Sequence, residues 1–232
     1  MNMQFAAAIA VCAGSFGLAQ ATDLIFDIDG ISNGNVLDDG YGDRVTALVD
    51  GDFRYGAAGG FTPNIVVDYR GVGGNELSWW DQGYNALQGV IYNEPEGANG
   101  FEVEFTADSG WLVSLDSFDL GNFGGPETIG ISVVDGVGNV LFEDAAFGLE
   151  AASGSSGNIA LTGVQAQSLT LRIDTTGLGG SSDNIGLDNI VFSQVVPSPG
   201  ALLMLRSPPD CCANSSAVLR PSPLPLPMGL VV

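Results

Sequence analysis

The side chains able to do chemistry in this chain are almost all carboxylates. Its 232 residues include 27 Asp and Glu against 6 basic residues, all of them Arg, and there is no His. The three Cys are Cys12, Cys211 and Cys212, close to the two ends of the sequence. Without His, Lys or a central Cys, the chain excludes a Ser-His-Asp triad, a Cys-His pair and a Lys base. Acid–base catalysis would therefore depend on carboxylates alone.

Three pairs of nearby carboxylates are candidates for such a reaction. They are Glu94/Glu96, Asp116/Asp119 and Glu143/Asp144. A glycoside hydrolase needs two carboxyl groups about 5 to 10 Å apart across a cleft. In so acidic a chain some pairs of this kind arise by chance. We therefore expect a non-catalytic protein and keep a carboxylate-only glycoside hydrolase as a third alternative.

Two adjacent tryptophans suggest a different use of the chain, the binding of sugars. Trp79 and Trp80 follow each other in a predicted strand, where successive side chains point to opposite faces. Only one of the two can then face the core, and the other lies on the surface, where a sugar ring could stack on it beside Tyr84 or Tyr92. The alternative is that one Trp lies in the core and a loop covers the other. Extracellular polysaccharide is the partner that this pattern predicts.

The elements that position these residues are predicted to be strands. Short alternating runs bounded by Gly, Asn, Asp and Pro recur along the chain, and Asp135 to Asn139 marks a hairpin between two of them. No helical period stands out beyond the first twenty residues. The pattern predicts an all-β fold, an antiparallel β-sandwich of jelly-roll type that resembles carbohydrate-binding modules, with a closed barrel as the alternative. The predicted strands are Asp23–Ile28, Arg44–Val49, Phe53–Tyr55, Asn64–Tyr69, Glu76–Trp80, Leu87–Tyr92, Phe101–Phe105, Trp111–Leu120, Ile129–Val133, Val140–Phe142, Leu169–Ile173 and Ile185–Phe192.

A metal site is predicted where the first and last strands meet. Jelly-roll domains similar to carbohydrate-binding modules often hold a structural Ca²⁺ there, bound by carboxylate and backbone oxygens. This resemblance implies Asp27 and Asp29, at the end of the first strand, and Asp188, among apolar neighbours in the last strand, as ligands. An inward carboxylate there needs a partner because burying a bare charge is costly. The alternative is that Asp188 faces outward or accepts backbone N–H bonds in a turn.

The charge balance limits the partners of the protein. A formal net charge of −21 excludes a surface that tracks the phosphates of nucleic acid, which requires clustered cations. It also argues against docking on anionic lipid. No cofactor other than the Ca²⁺ is expected.

The two ends of the sequence predict export. Residues 1–21 carry an apolar run followed by Ala19-Gln20-Ala21, a small-x-small site for signal peptidase. The β-sandwich then occupies residues 22–194, and residues 195–232 are Pro-rich and expected to be disordered. As written, this tail contains no apolar stretch long enough for a membrane anchor, so the protein would be secreted.

The start of the tail resembles a known sorting signal. Val196-Pro197-Ser198-Pro199-Gly200, directly after the closing strand Asp183 to Phe192, is similar to the PEP-CTERM tag of bacterial surface proteins. The resemblance implies export, recognition by an exosortase-type machinery and a structural or adhesive role at the cell surface or in the extracellular matrix. The apolar helix and Arg cluster that follow the motif in that family are missing after Leu205. We attribute this departure to a frameshift near Leu203, which resequencing the gene would test.

Overall fold

The structure is a computed structural model that describes residues 21–47, 53–54 and 60–197. Of the predicted sorting and cleavage residues, Ala19, Pro199 and Gly200 lie outside these ranges. Ala21 is exposed at the start of the described chain, and Val196 and Pro197 directly follow the last strand. Within the described ranges no helix is both long and apolar enough to cross a membrane.

The described residues form fourteen strands and one short 3-10 helix, Gly179–Asn184. The strands are β1 (Thr22–Leu24), β2 (Ile28–Asp29), β3 (Phe53–Arg54), β4 (Ile65–Gly71), β5 (Ser78–Trp80), β6 (Val90–Tyr92), β7 (Gly100–Ala107), β8 (Leu112–Asn122), β9 (Glu127–Asp135), β10 (Val140–Leu149), β11 (Gly157–Ala160), β12 (Gln165–Ala166), β13 (Ser168–Asp174) and β14 (Ile185–Val195).

These strands make two antiparallel sheets that pack face to face. The first sheet has the order β11-β8-β14-β6-β5, with β1 paired to β14 and β12 paired to β8. The second has the order β10-β9-β13-β7-β4, and a separate pair joins β2 to β3 in parallel. From β6 to β9, and again from β13 to β14, the chain alternates between the two main sheets. The prediction of an all-β sandwich of jelly-roll type is confirmed.

The inner faces of the two sheets share one apolar core, because every second residue of each strand points inward. On β13 the inward residues are Leu169, Leu171 and Ile173, each 1% exposed or less. Phe105 of β7 and Phe192 of β14 join the two sheets, with ring centroids 5.0 Å apart. Aromatic pairs at this spacing add to the stabilisation that burial itself provides.

The outer face of the second sheet is polar and open to solvent. In one row across its strands, Glu143, Ser132, Arg172, Glu102 and Arg70 stand opposite one another in register. Glu102 accepts from the Nε atoms of both Arg side chains at 2.8 Å. This alternation of apolar inner and polar outer residues is what a sheet with one solvated face requires.

The predicted first strand differs from the structure. The predicted strand Asp23–Ile28 divides into β1 and β2, because the backbone of Phe26 bonds to side chains instead of to a neighbouring strand. Its N–H donates to Asp188 Oδ1 at 2.9 Å, and its carbonyl accepts from Trp79 Nε1 at 2.5 Å.

Two further differences concern weak strands. β11 and β12 were not predicted, since they are short and together bury a single side chain, that of Ile159. The predicted strand Arg44–Val49 is described only as far as residue 47, and there it forms a single bridge from Val45 to Thr62.

Candidate functional site

The two tryptophans of β5 lie on opposite faces of the first sheet, as predicted. Trp79 belongs to the core, is 4% exposed and donates its indole N–H to the carbonyl of Phe26. Trp80 lies on the outer face and is partly exposed. Tyr84, the third predicted stacking residue, is 4% exposed and donates its hydroxyl to the carbonyl of Asp183 at 2.8 Å. Of the three, Trp80 is therefore the side chain that a ligand can reach.

Trp80 belongs to a cluster that we call the aromatic patch, formed by Trp80, Tyr84, Tyr92 and Phe123. The ring centroid of Trp80 is 6.2 Å from those of Tyr92 and Phe123, and both contacts are edge-to-face. The ring of Tyr84 lies 5.4 Å from that of Phe123. Phe123 is 46% exposed, so the patch ends in a large apolar side chain open to solvent.

A loop over the outer face of the first sheet holds the patch in place. This Tyr84 loop, residues 81–89, connects β5 to β6 and folds back over its own sheet. It rests on Gly121 and Gly186, where a Cβ atom would lie 2.8 Å from a side-chain carbon of Tyr84. Asn85, in the left-handed region at φ 54°, ties the loop to the sheet by accepting from the backbone N–H of Asn122 at 2.7 Å. Two glycines on central strands thus make room for the loop.

Carboxylates surround the patch. Burial, together with the nearby charges of Glu94 and Asp183, raises the pKa of Tyr92 to about 12. Burial is also the main reason that the pKa of Asp183 is raised, with Glu96 adding to the effect. Glu94 is exposed and accepts from the hydroxyl of Ser78 at 3.0 Å. The edge of the patch therefore offers acceptors of hydrogen bonds and negative charge.

Asp188 lies elsewhere on the first sheet and is buried, at 3% exposed. Its carboxylate accepts from the N–H of Phe26 and stands opposite Asp119 of β8 in the sheet register. Burial raises the pKa of Asp188 to about 7, and the charges of Asp119 and Asp23 add to this shift while the backbone N–H bonds oppose it. Burial and the charge of Asp119 also raise the pKa of Asp23.

The first and last strands do meet, since β1 pairs with β14 from Thr22 to Leu24. At this junction Asp27 is exposed, Asp188 is buried against Phe26, and the side chain of Asp29 lies outside the described part. In the ranges that the structure describes, no three acidic, Cys or His side chains converge closely enough to hold a metal ion. A Ca²⁺ bound by Asp27, Asp29 and Asp188 stays a prediction.

In one of the three carboxylate pairs considered for catalysis, Asp116/Asp119, the two side chains bind different partners. Asp116 accepts from the hydroxyls of Ser114 and Ser193, while Asp119 accepts from the amides of Asn158 and Asn189. These hydrogen bonds tie both carboxylates to neighbouring strands of the sandwich.

One member of the aromatic patch was missed from the sequence. Phe123 stands alone in the glycine-rich run Gly121 to Gly125, which reads as a turn. Its contact with Trp80 arises only when β8 and β5 take their places in the same sheet. A signal was present all the same, since an aromatic residue in a glycine-rich turn has no strand neighbours to bury it.

Comparison with known proteins gives no family. No family model matches the chain, and no curated protein matches it. Among solved structures, the chain is similar to an arabinose-bound MgGH51 α-L-arabinofuranosidase at 17% identity and a TM-score of 0.36, over 74% of this chain and 29% of the other. It is also similar to the enzymatically active domain of tailspike protein 4 from bacteriophage CBA120, at 12% identity and a TM-score of 0.28, over 57% of this chain and 19% of the other. Likeness at this level carries no information on function.

Proposed function

We propose that this chain is an exported, non-catalytic protein of the bacterial cell surface or extracellular matrix that attaches to neutral polysaccharide through the aromatic patch. The observation that carries the proposal is the exposure of Phe123, at 46%, edge-to-face with the partly exposed Trp80. The rest of the patch is covered by the Tyr84 loop. Two accessible aromatic rings beside each other are the feature that sugar stacking requires.

The chemistry of the patch supports sugars over other ligands. The C–H faces of a pyranose ring are apolar and pack on aromatic side chains, while its hydroxyls need acceptors at the rim. Glu94 and Asp183 supply carboxylate oxygens beside Tyr92. The same charges repel uronic acids and sulfated sugars, an effect that the net charge of −21 reinforces. The polysaccharide is therefore neutral.

The cellular location rests on the sequence. The small-x-small site at Ala19 and Ala21 supports export, and the motif of Val196, Pro197, Pro199 and Gly200 supports sorting by an exosortase-type machinery. Attachment to polysaccharide through a non-catalytic domain fits the structural or adhesive role that the PEP-CTERM resemblance implies. The absence of His and Lys from the sequence supports a protein without a reaction. Nothing in this function requires the predicted Ca²⁺.

The test is retention on neutral polysaccharides, measured by affinity electrophoresis in gels that contain cellulose derivatives, xylan or mannan, with alginate as the acidic comparison. We expect the unmodified protein to be retarded by at least one neutral polysaccharide and not by alginate. Trp80→Ala and Phe123→Ala should each weaken retention about tenfold or more, as expected for aromatic side chains at the centre of an interface.

Trp111→Ala is the matched control. Trp111 is also a partly exposed tryptophan, but it packs against the main core and not in the aromatic patch. This variant should be retained like the unmodified protein, with its folding checked by thermal melting. Equal retention of the unmodified protein, Trp80→Ala and Phe123→Ala would contradict the proposal.

A further inference from the structure

A recess lies on the opposite side of the sandwich from the aromatic patch. It is a groove of about 230 Å³ on the outer face of the second sheet, where β9, β10 and the end of β13 meet. Its polar lining consists of Thr128, Ser132, Glu143, Asp174 and Thr176. Pockets for drug-sized ligands usually measure 300 to 1,000 Å³, so this Gly130 groove has room for about one sugar ring.

The groove lies where β9 has no side chain, at Gly130, and where the neighbouring strand β10 is irregular. Gly130 is an outward position of β9, between Thr128 and Ser132, and a Cβ there would lie 3.2 Å from the Cβ of Asp174. On β10 a bulge interrupts the register between Asp144 and Phe147, opposite Gly130. Bulges of this kind often lie beside binding sites, where they redirect side chains. The backbone at Gly130 therefore forms part of the floor of the groove, beside Ala145 of the bulge, and the polar side chains form its walls.

The lining favours a ligand that donates hydrogen bonds. Glu143 and Asp174 place carboxylates on two sides, and the N–H of Thr176 occupies only one oxygen of Asp174, at 2.8 Å. Three hydroxyls, from Thr128, Ser132 and Thr176, can donate or accept. The nearest cation in the strand register is Arg172, and its Nε donates to Glu102 on the far side, at 2.8 Å. The groove thus offers acceptors with a negative potential.

We infer that the Gly130 groove is a second glycan-binding site, which takes a sugar ring through its hydroxyl or ammonium donors and excludes acidic sugars. The ligand class rests on the proposed function, whereas the location of the site depends on none of the residues of the aromatic patch. The groove and the patch lie on the outer faces of two different sheets. Because the packed sheets separate those faces, the two sites bind different chains. One molecule then bridges two polysaccharide strands.

The bridge would explain how the non-catalytic protein that we propose serves a matrix. Two weak sites on one rigid body give an avidity that neither site has alone when the polysaccharide presents many copies of its unit. Crosslinking also needs no partner protein.

The first experiment separates the two sites with Gly130→Val. A branched side chain fills the floor of the groove, and valine suits a strand. The matched control is Gly148→Val, in β10 of the same sheet, where a Cβ would meet nothing within 4 Å. Binding is measured by calorimetry on the full chain with cellohexaose, a glucosamine hexamer and an alginate hexamer. The milder Glu143→Gln and Asp174→Asn variants remove one acceptor charge each if Gly130→Val fails to fold.

Each arm has a defined reading. We expect Trp80→Ala to keep the groove site, which binds cellohexaose or the glucosamine hexamer. In Gly130→Val the affinity of that groove site should fall about tenfold or more. Gly148→Val should bind like the unmodified protein. Binding of cellohexaose assigns hydroxyl donors to the ligand, and preference for the glucosamine hexamer assigns an ammonium donor. Binding of the alginate hexamer at the groove would overturn the inference.

The second experiment measures bridging, as the clumping of beads coated with the bound polysaccharide. The unmodified protein should clump the beads, and Trp80→Ala or Gly130→Val should bind them without clumping. If Trp80→Ala abolishes all binding while Gly130→Val changes none, the groove is no site and the proposed function stands. If Gly130→Val abolishes binding while Trp80→Ala changes none, the proposed function fails at its patch and the groove remains.

Discussion

The outer faces of the two sheets differ although both sheets share the same core. On the second sheet the outer row is charged and solvated, with Glu102 between Arg70 and Arg172. On the first sheet the Tyr84 loop covers the outer face around Gly121 and Gly186, and farther along the central strand β14 the outward Asp188 is buried against Phe26. The second sheet therefore has a single buried face, whereas the first sheet is buried on both faces along part of β14.

The difference teaches that the burial of a strand depends on what covers it as much as on its own sequence. β13 alternates apolar and polar residues, as expected for a strand with one wet face. In β14 four consecutive residues from Ile185 to Asp188 are buried. The two binding sites that we propose follow this difference, since the patch uses the exposed aromatic side chains Trp80 and Phe123 and the groove uses the space left by the missing side chain at Gly130.

The largest expected effect concerns the buried charge of the closed face. The pKa of Asp188 lies at about 7 in the folded chain, raised by burial from an ordinary value of 3.8. A carboxyl with a higher pKa when folded binds its proton more tightly in that state, so its contribution to stability is complete below pH 3.8 and is progressively lost as the pH rises from there through about 7. Between pH 5 and pH 8 the free energy of unfolding should fall by about 2 to 4 kcal/mol from this group.

Urea unfolding at both pH values checks this prediction with Asp188→Asn. The asparagine keeps an acceptor for the N–H of Phe26 and removes the charge beside Asp23 and Asp119, so the pH dependence should flatten. Asp27→Asn, at an exposed neighbouring position, should follow the unmodified protein. Parallel curves for Asp188→Asn and the unmodified protein would rule out Asp188 as the source.

A smaller effect is expected where the covering loop touches its sheet. Gly186→Val on β14 places carbon atoms within the contact distance of Tyr84 and Val90, since even a Cβ would lie 2.8 Å or less from both. Overpacking of this kind costs about 1 to 3 kcal/mol. Arg172→Val, on the central strand of the open sheet, should cost less than about 1 kcal/mol. Urea unfolding measures both variants. Equal losses of unfolding free energy in the two would contradict the difference between the two outer faces.

The smallest effect concerns the ion pairs of the open face. Glu102→Gln removes the charge shared by Arg70 and Arg172, whose side chains are 49% exposed. Exposed ion pairs contribute about 0.2 to 1 kcal/mol, so the loss should be of that order at low salt and vanish near 1 M salt. Glu127→Gln removes the same charge elsewhere on this sheet and should show no such salt dependence. A loss that persists at high salt would point to packing instead of charge.

Local patterns predicted much of the fold because the period of a strand is visible in the sequence. The alternation in β7 and β13 predicted their inward residues, and the adjacency of Trp79 and Trp80 predicted one core and one outer ring. The pairing of strands is a different matter, since registers join residues far apart in the chain. Asp119 therefore went unpredicted as the neighbour of Asp188.

The two candidate sites were predicted unequally for the same reason. Trp80 is recognisable in the sequence as a large aromatic residue. The Gly130 groove depends on a missing side chain and on a bulge, and neither indicates a groove in the sequence. A glycine in a strand gives no sign of whether it faces a neighbour, a loop or solvent. Only the assembled sheet places Gly130 between Glu143 and Asp174.

The positions of β13 and β14 also determine when each sheet can form during folding. They come last among the described strands, yet each lies in the middle of its sheet, so that β8 and β6 on one side, and β9 and β7 on the other, have no common neighbour before they arrive. Pairings over such long sequence separations form slowly. A ribosome must therefore deliver nearly the whole domain before either sheet can close. For the export that we propose, this delay is an advantage, because a chain that crosses a membrane as an extended thread can assemble the sandwich only after its final strands have emerged on the far side.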